Sequence, residues 1–175
     1  DNNITVDQAS IRTRTGGNGD AGAIILSAGN ITVANGQMAS DSAGRGRGGD
    51  VTITAAGQFT TTGQFTDELG QTSPAGIFSQ AFSSGKGGDI AITAGQSVTL
   101  NNGSSISASS SGPGNAGDIL INAGQNYTST NSSVTTQATA PGTEASGGNI
   151  TVLATDMVHL TNSQINASVQ GSTTT

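Results

Sequence analysis

One short phrase recurs five times in the chain: a glycine and a small or acidic residue, followed by apolar residues at every second position. The copies are Gly22-Ala23-Ile24-Ile25-Leu26, Gly49-Asp50-Val51-Thr52-Ile53, Gly88-Asp89-Ile90-Ala91-Ile92, Gly117-Asp118-Ile119-Leu120-Ile121 and Gly148-Asn149-Ile150-Thr151-Val152. We call these segments the a strands, because an apolar period of two is typical of a β-strand. Units that return every 27 to 39 residues indicate a stacked repeat fold.

Two further apolar runs follow each a strand, and we call them the b and c strands. The b strands begin at Ile4, Ile31, Phe59, Val98, Tyr127 and Val158, and the c strands centre on Ile11, Met38, Ile77, Ile106, Val134 and Ile165. No stretch between them has the length or the 3.6-residue period of a crossover helix. A coil that stacks a on a, b on b and c on c buries every inward residue between its neighbours. The sequence therefore predicts an all-β parallel β-helix of about five and a half coils, with three short strands per coil.

The predicted core consists of four columns of inward side chains, two of them on the a strands. These two are Ile24/Val51/Ile90/Ile119/Ile150 and Leu26/Ile53/Ile92/Ile121/Val152, and the b and c landmarks form the other two. The whole chain, 1–175, is interpreted as one β-helix segment with coils at roughly 1–19, 20–46, 47–85, 86–114, 115–145 and 146–175. Because aromatic residues make up only 3% of the chain, aliphatic stacking must provide most of the stability.

Composition excludes several classes of function. The absence of cysteine excludes a disulfide framework and a thiolate metal site. Five Lys and Arg against eleven Asp and Glu leave no basic surface for phosphate backbones, so no nucleic-acid partner is expected. No apolar run is long enough to span a bilayer, and we expect no membrane insertion. The chain opens at Asp1 without a signal peptide, so we expect that a leader or an earlier region has been removed.

An acidic column follows the glycines of the a strands: Asp50, Asp89 and Asp118, with Asn149 next in line. Carboxylates stacked between coils could hold Ca²⁺, which prefers six to eight oxygen ligands. The favoured interpretation is that each side chain caps its own turn by accepting backbone N–H bonds. We therefore expect no metal and no cofactor, with a calcium column as the alternative.

Coil three contains an insert, because its b-to-c spacing is 18 residues against 7 or 8 elsewhere. The extra residues form a predicted loop at about 63–76. It carries the only cluster of apolar and acidic residues in a loop: Phe65, Asp67, Glu68 and Leu69. Loops on rigid scaffolds often carry binding, so these four residues are the candidate binding site.

Catalytic candidates are few. Asp67 and Glu68 are adjacent, and adjacent side chains on an extended segment point to opposite sides, so they do not form an acid–base pair. Arg45 and Arg47, in the stretch from Asp41 to Asp50, are expected to make local surface contacts with Asp41 or Asp50 instead of serving a reaction. We expect no catalytic residues and no enzymatic activity.

The pattern Gly-Gly-Asp-Ile-x-Ile-x-Ala-Gly-x-x-Val-x-Leu…Ser-x-Ile-x-Ala-Ser runs from Gly87 to Ser109, and similar copies lie at Asn115–Thr128 and Gly147–Ser168. It resembles the repeats of the filamentous-haemagglutinin-like large exoproteins of Gram-negative bacteria and cyanobacteria. The resemblance implies a right-handed β-helix, export through an outer-membrane partner by two-partner secretion, and a role as an adhesin or surface fibre. The amino-terminal secretion module of that family is not evident in this sequence.

The leading expectation is a non-catalytic shaft segment of an exported surface adhesin or extracellular filament, located outside the cell. The first alternative is a module that binds a glycan or host-surface receptor through the insert, and the second is a β-helix enzyme acting on polysaccharide.

Neither end carries an atypical cap: an ordinary strand pair opens the chain, and Val169-Gln170-Gly171-Ser172 and three Thr follow the last coil. We expect further coils of the same polypeptide, or identical chains stacked head to tail, to cover these ends.

Overall fold

A computed structural model describes residues 2–140 and 145–170. The described part does not include Asp1, residues 141–144 or residues 171–175, so expectations that rest on these residues lie outside it. The described residues form β-strands and turns, and none of them is helical. The a strands are β3 (Ile24–Ala28), β6 (Val51–Ala55), β11 (Ile90–Ala94), β14 (Ile119–Ala123) and β17 (Ile150–Ala154). The b strands are β1 (Asn3–Asp7), β4 (Asn30–Ala34), β7 (Phe59–Thr62), β12 (Val98–Asn101), β15 (Asn126–Thr130) and β18 (Met157–Thr161). The c strands are β2 (Ser10–Thr15), β5 (Gln37–Ser42), β10 (Gly76–Ala81), β13 (Ser105–Ser107), β16 (Ser133–Ala138) and β19 (Gln164–Val169).

The three strand types form three parallel sheets. The a sheet has five strands in the order β3-β6-β11-β14-β17, the b sheet has the order β1-β4-β7-β12-β15-β18, and the c sheet has the order β2-β5-β10-β13-β16-β19. Each coil thus stacks on the next, and the molecule is a parallel β-solenoid of about six turns. The predicted fold class is confirmed.

The registers reproduce the predicted inward columns residue by residue. Ile90 lies between Val51 and Ile119, and Ile92 lies between Ile53 and Ile121. On the other two sheets Val98 pairs with Phe59 and Tyr127, and Ile77 pairs with Met38 and Ile106. The members of these columns in the middle coils are buried and form one continuous core. Each buried Ile or Val contributes about 1.5–3 kcal/mol, and strands about 4.8 Å apart keep like side chains in contact.

Buried serine hydroxyls of the c strands form a column and make hydrogen bonds with the backbone that leads into the a strands. This column was not predicted from the sequence. Ser40 Oγ accepts a hydrogen bond from the Gly49 N–H at 3.1 Å and donates to the Gly22 carbonyl at 2.8 Å. One coil further on, Ser79 Oγ donates to the Gly49 carbonyl at 2.7 Å. These bonds satisfy backbone groups where the chain passes from one sheet to the next, so polar side chains can lie inside the solenoid.

The corner between the b and c strands uses a left-handed backbone residue in every coil, and this residue is not glycine except in the third coil. The residues are Gln8, Asn35, Asn102, Asn131 and Asn162, with φ between 47° and 55°. Asn tolerates this conformation better than most other non-glycine residues. In coil three Gly63 takes the position with φ 87°, and a Cβ there would lie 2.1 Å from Asn35 Oδ1. Both the positive φ and the short distance favour glycine at the point where the insert leaves the corner.

Candidate functional site

The insert is a β-hairpin built onto that corner. Its strands β8 (Gln64–Thr66) and β9 (Thr72–Pro74) are antiparallel and pair Phe65 with Ser73. The Ala75 N–H donates to the Gly63 carbonyl at 3.1 Å, so the hairpin closes at its base. Gly76 then pairs with Gln37 of the coil below, and the normal path resumes. The long b-to-c spacing is thus a side branch of 64–74 that leaves the solenoid unchanged.

The tip of the hairpin is a turn organised by Asp67. Its Oδ1 accepts the N–H groups of Leu69 at 2.9 Å and Gln71 at 2.8 Å, and its carbonyl accepts the Gly70 N–H at 2.9 Å. A carboxylate that holds its own backbone in this way is a turn-forming residue. Leu69 is 84% exposed beside it, and Glu68 is also exposed.

The hairpin leans toward the first coils and encloses a cleft. Gln37 Nε2 anchors it by donating to Ser73 Oγ at 2.8 Å and to the Pro74 carbonyl at 3.0 Å. Between the hairpin and the start of β2 lies an open cleft of about 430 Å³. One wall includes Ser10 and Arg12, and the other wall is formed by Phe65, Asp67, Glu68 and Leu69. All four residues predicted from the sequence therefore line one site.

Arg12, which lines the cleft on the β2 side, is held in position by the buried carboxylate of Asp41 on the next coil. Its Nε and Nη2 donate to Asp41 Oδ2 at 3.2 and 2.9 Å, and Asp41 is only 2% exposed. Asp41 Oδ1 is buried as well and has no hydrogen-bond partner among the described residues. Burial raises the pKa of Asp41 above its usual 3.8, although the Arg12 guanidinium opposes that shift.

The expected local contacts of Arg45 and Arg47 are confirmed for one pair only, and Arg45 forms no ion pair or hydrogen bond with either acid within the described part of the chain. Arg47 Nη2 contacts Asp50 Oδ1 at 2.6 Å, as predicted. The other candidate, Asp41, pairs with Arg12 instead. The c-strand register places Arg14 opposite Asp41 and Arg12 two residues earlier on the same face, so the Arg12–Asp41 pair is a diagonal contact between coils.

The acidic column forms a ladder of hydrogen bonds between coils. Asp50 Oδ1 accepts the Asp89 N–H at 2.8 Å, Asp89 Oδ1 accepts the Asp118 N–H at 2.8 Å, and Asp118 Oδ1 accepts the Asn149 N–H at 2.7 Å. The expectation that each Asp caps its own turn is wrong in this detail, because the accepted N–H belongs to the next coil. Parallel stacking brings each carboxylate beneath the equivalent backbone amide, so the bonds join successive turns.

Cations lie beside the carboxylates at the centre of the ladder. Lys86 Nζ contacts Asp89 Oδ1 at 3.1 Å, and Arg47 Nη2 contacts Asp89 Oδ2 at 2.9 Å. Burial opposes ionisation of Asp89, but the Asp118 N–H, Lys86 and Arg47 outweigh it and lower the pKa of Asp89 below 3.8. Within residues 2–140 and 145–170, no three His, Cys, Asp or Glu side chains converge to hold a metal ion.

Comparisons with protein-family models, curated proteins and solved structures find no match for this chain. The fold alone defines the class of protein, a parallel β-solenoid built from repeats. The described part contains no helix that is long and apolar enough to cross a membrane.

Proposed function

We propose that the chain is a non-catalytic shaft segment of an exported bacterial surface adhesin or extracellular filament. The observation that carries this proposal is the regular parallel stacking of about six described coils around one continuous, largely aliphatic core. On the last described coil Val158, Leu160 and Ile165 are 48%, 40% and 39% exposed, whereas their column neighbours in the middle coils are buried. Exposed apolar side chains beside open strand edges promote association.

The test is the association of the isolated chain in solution. The exposed apolar end should cause concentration-dependent association in light scattering and sedimentation. Ile165→Asp should reduce it by adding charge to that end. Leu120→Asp is the matched control, because Leu120 is 41% exposed on the outer face of the interior strand β14 and leaves both ends of the stack unchanged. A concentration-independent monomer would contradict the proposal.

A second candidate function, recognition of a glycan or host-surface ligand by the hairpin, is favoured by the cleft between the hairpin and β2. A concave site formed by a loop on a rigid scaffold is a common arrangement for binding.

The third candidate function, an enzyme acting on polysaccharide, has less support, because Asp67 Oδ1 is already engaged in the hairpin turn. A depolymerisation assay on bacterial and plant polysaccharides tests it directly, and we expect no cleavage.

A further inference from the structure

We propose that the cleft between the hairpin and β2 binds a neutral, hydroxyl-rich ligand, namely an uncharged sugar residue of a glycan. The inference rests on the second candidate function and gives it a ligand class. It depends on the shape of the cleft, the charges of its two walls and the position of its one aromatic ring.

The shape suits a short stretch of an extended ligand. The cleft has a volume of about 430 Å³ and is open to solvent along the side of the solenoid. Ligand sites of about 300–1,000 Å³ usually combine apolar surface with a few well-placed polar groups. An open groove on the side of a rod lets a chain enter and leave, so one or two units of a longer glycan can be held without a free end.

The charges of the walls disfavour ions of either sign. Arg12 is the one cation of the lining, and the buried Asp41 accepts hydrogen bonds from two of its nitrogens. Asp67 and Glu68 on the opposite wall would repel a carboxylate, a sulfate or a phosphate. A cationic peptide would instead meet the Arg12 guanidinium. An uncharged ligand avoids both penalties.

The free polar atoms are suited to hydroxyl groups. Arg12 uses Nε and Nη2 on Asp41, and its Nη1 donates no hydrogen bond within the described part of the chain. The Glu68 carboxylate likewise accepts none from the described residues. A planar donor on one wall and a planar acceptor on the other can together bind neighbouring hydroxyls, each of which both donates and accepts.

Phe65 provides the apolar part of the site. Its ring lines the same wall as Glu68 and is half-buried. A sugar ring presents C–H groups on one face and hydroxyls at its edge, so it can cover an aromatic ring while its hydroxyls remain bonded. The fixed position of the hairpin, anchored by Gln37, lowers the entropy lost on binding.

The test uses the whole chain and a defined set of probes. These are immobilised neutral oligosaccharides of glucose, galactose, mannose and N-acetylglucosamine, together with sialylated and sulfated glycans and an oligolysine peptide. We expect binding to at least one neutral glycan and none to the charged probes. Titration with the best neutral probe then gives the affinity for the variants.

Phe65→Ala and Glu68→Gln should each weaken that affinity by about tenfold or more, as expected for central contacts of a small site. A chain that lacks residues 64–74, with Gly63 joined to Ala75, should lose binding while it keeps its β-type circular dichroism. Thr52→Ala, on the outer face of the a sheet, is the control and should bind as the parent does.

Three results would overturn the proposal: no neutral glycan bound, a preference for an anionic glycan or for oligolysine, or binding that survives removal of the hairpin. A charged ligand that requires the hairpin would refute the ligand class and leave the second candidate function in place. No binding of any probe would remove support from both. The association measurement tests the shaft proposal separately.

Discussion

At the scale of single residues, Tyr127 carries a polar atom into an otherwise apolar column. It lies between Val98 and Val158 in the b sheet, it is fully buried, and its hydroxyl has no hydrogen-bond partner among the described residues. Burial also raises the pKa of Tyr127 above 10.0, although the Ser129 side chain opposes that shift, so the phenol is neutral at physiological pH. The same column contains Phe59, which fills a similar space without a polar atom.

Tyr127→Phe should therefore leave the fold intact and increase the free energy of unfolding by about 1 kcal/mol, because an unpaired buried hydroxyl costs about 1–3 kcal/mol. Urea unfolding at neutral pH measures the change. Phe59→Tyr is the matched control and should change stability in the opposite direction. A clear loss of stability in Tyr127→Phe would show that the hydroxyl has a stabilising partner.

Asp41 gives a second prediction at this scale, based on pH. Because its pKa in the folded chain is raised above 3.8, the folded state binds more protons than the unfolded state between these two values. Its contribution to stability is therefore greatest at low pH and declines as the pH rises through the raised value. The difference in free energy of unfolding between the parent and Asp41→Asn should fall accordingly from pH 4 upward.

Urea unfolding of both chains at several pH values measures this difference. Comparison with the variant is necessary because Asp89, whose pKa is lowered, contributes the opposite slope: its stabilisation is present above 3.8 and is lost as the pH falls through the lower value. A difference that does not change with pH would contradict the raised pKa of Asp41.

At the scale of elements, the Asp ladder stabilises the stack through hydrogen bonds that need an oxygen acceptor and no metal. Asp89→Ala removes the acceptor of the Asp118 N–H and should cost about 0.5–1.5 kcal/mol. Asp89→Asn keeps an oxygen there and should cost less, since exposed ion pairs such as that with Lys86 contribute little. Chelator should leave the melting temperature unchanged. A large drop with chelator would indicate a calcium column.

The hairpin gives a second prediction for elements. Removal of residues 64–74 restores the b-to-c spacing of 7 residues that coil two has between Ile31 and Met38, and it leaves Gly63 and Ala75 close enough to join after a small shift. The shortened chain should melt within a few degrees of the parent, as monitored by circular dichroism. Removal of β12, an equally simple deletion from the middle of the b sheet, should abolish the cooperative transition.

Local patterns explain which elements could be predicted from the sequence. The columns through Ile92 and Val98 were predictable because a period of two and constant spacings fix the register of a parallel coil. The Arg12–Asp41 pair was not, because it joins residues 29 positions apart and depends on a diagonal contact between coils. Ser40 and Ser79 were missed because hydroxyl residues occur on either face of a strand, and only the path from c strand to a strand decides their role.

The hairpin was partly predictable. The irregular spacing located the insert at 63–76, and Phe65, Asp67, Glu68 and Leu69 were correctly grouped. The sequence did not reveal the other wall, because Ser10 and Arg12 lie two coils away and approach only when the hairpin leans back toward the first coil.

At the scale of the whole molecule, each coil is stabilised by the coils on either side of it, so damage to one column should spread. Ile92 is fully buried between Ile53 and Ile121. Ile92→Asp buries a charge in the middle coil, where it contacts the coils above and below. It should lower the free energy of unfolding by more than about 4 kcal/mol, enough to unfold a domain of ordinary stability. Thr93→Asp, on the exposed neighbour, is the control and should be nearly neutral. Thermal melts of both variants test this, and a stable Ile92→Asp chain would contradict the continuous core.

The closed base of the hairpin allows the chain to vary at one corner without altering its periodicity. The hydrogen bond from Ala75 to Gly63 brings the strand back to the place where it left, so the axial rise and the alignment of all coils are independent of what is inserted there. A different hairpin, longer or with another sequence, could occupy the same corner. Under the proposed functions, ligand preference and mechanical continuity are thus encoded in separate parts of the sequence, and each can change in evolution or by design without compromising the other.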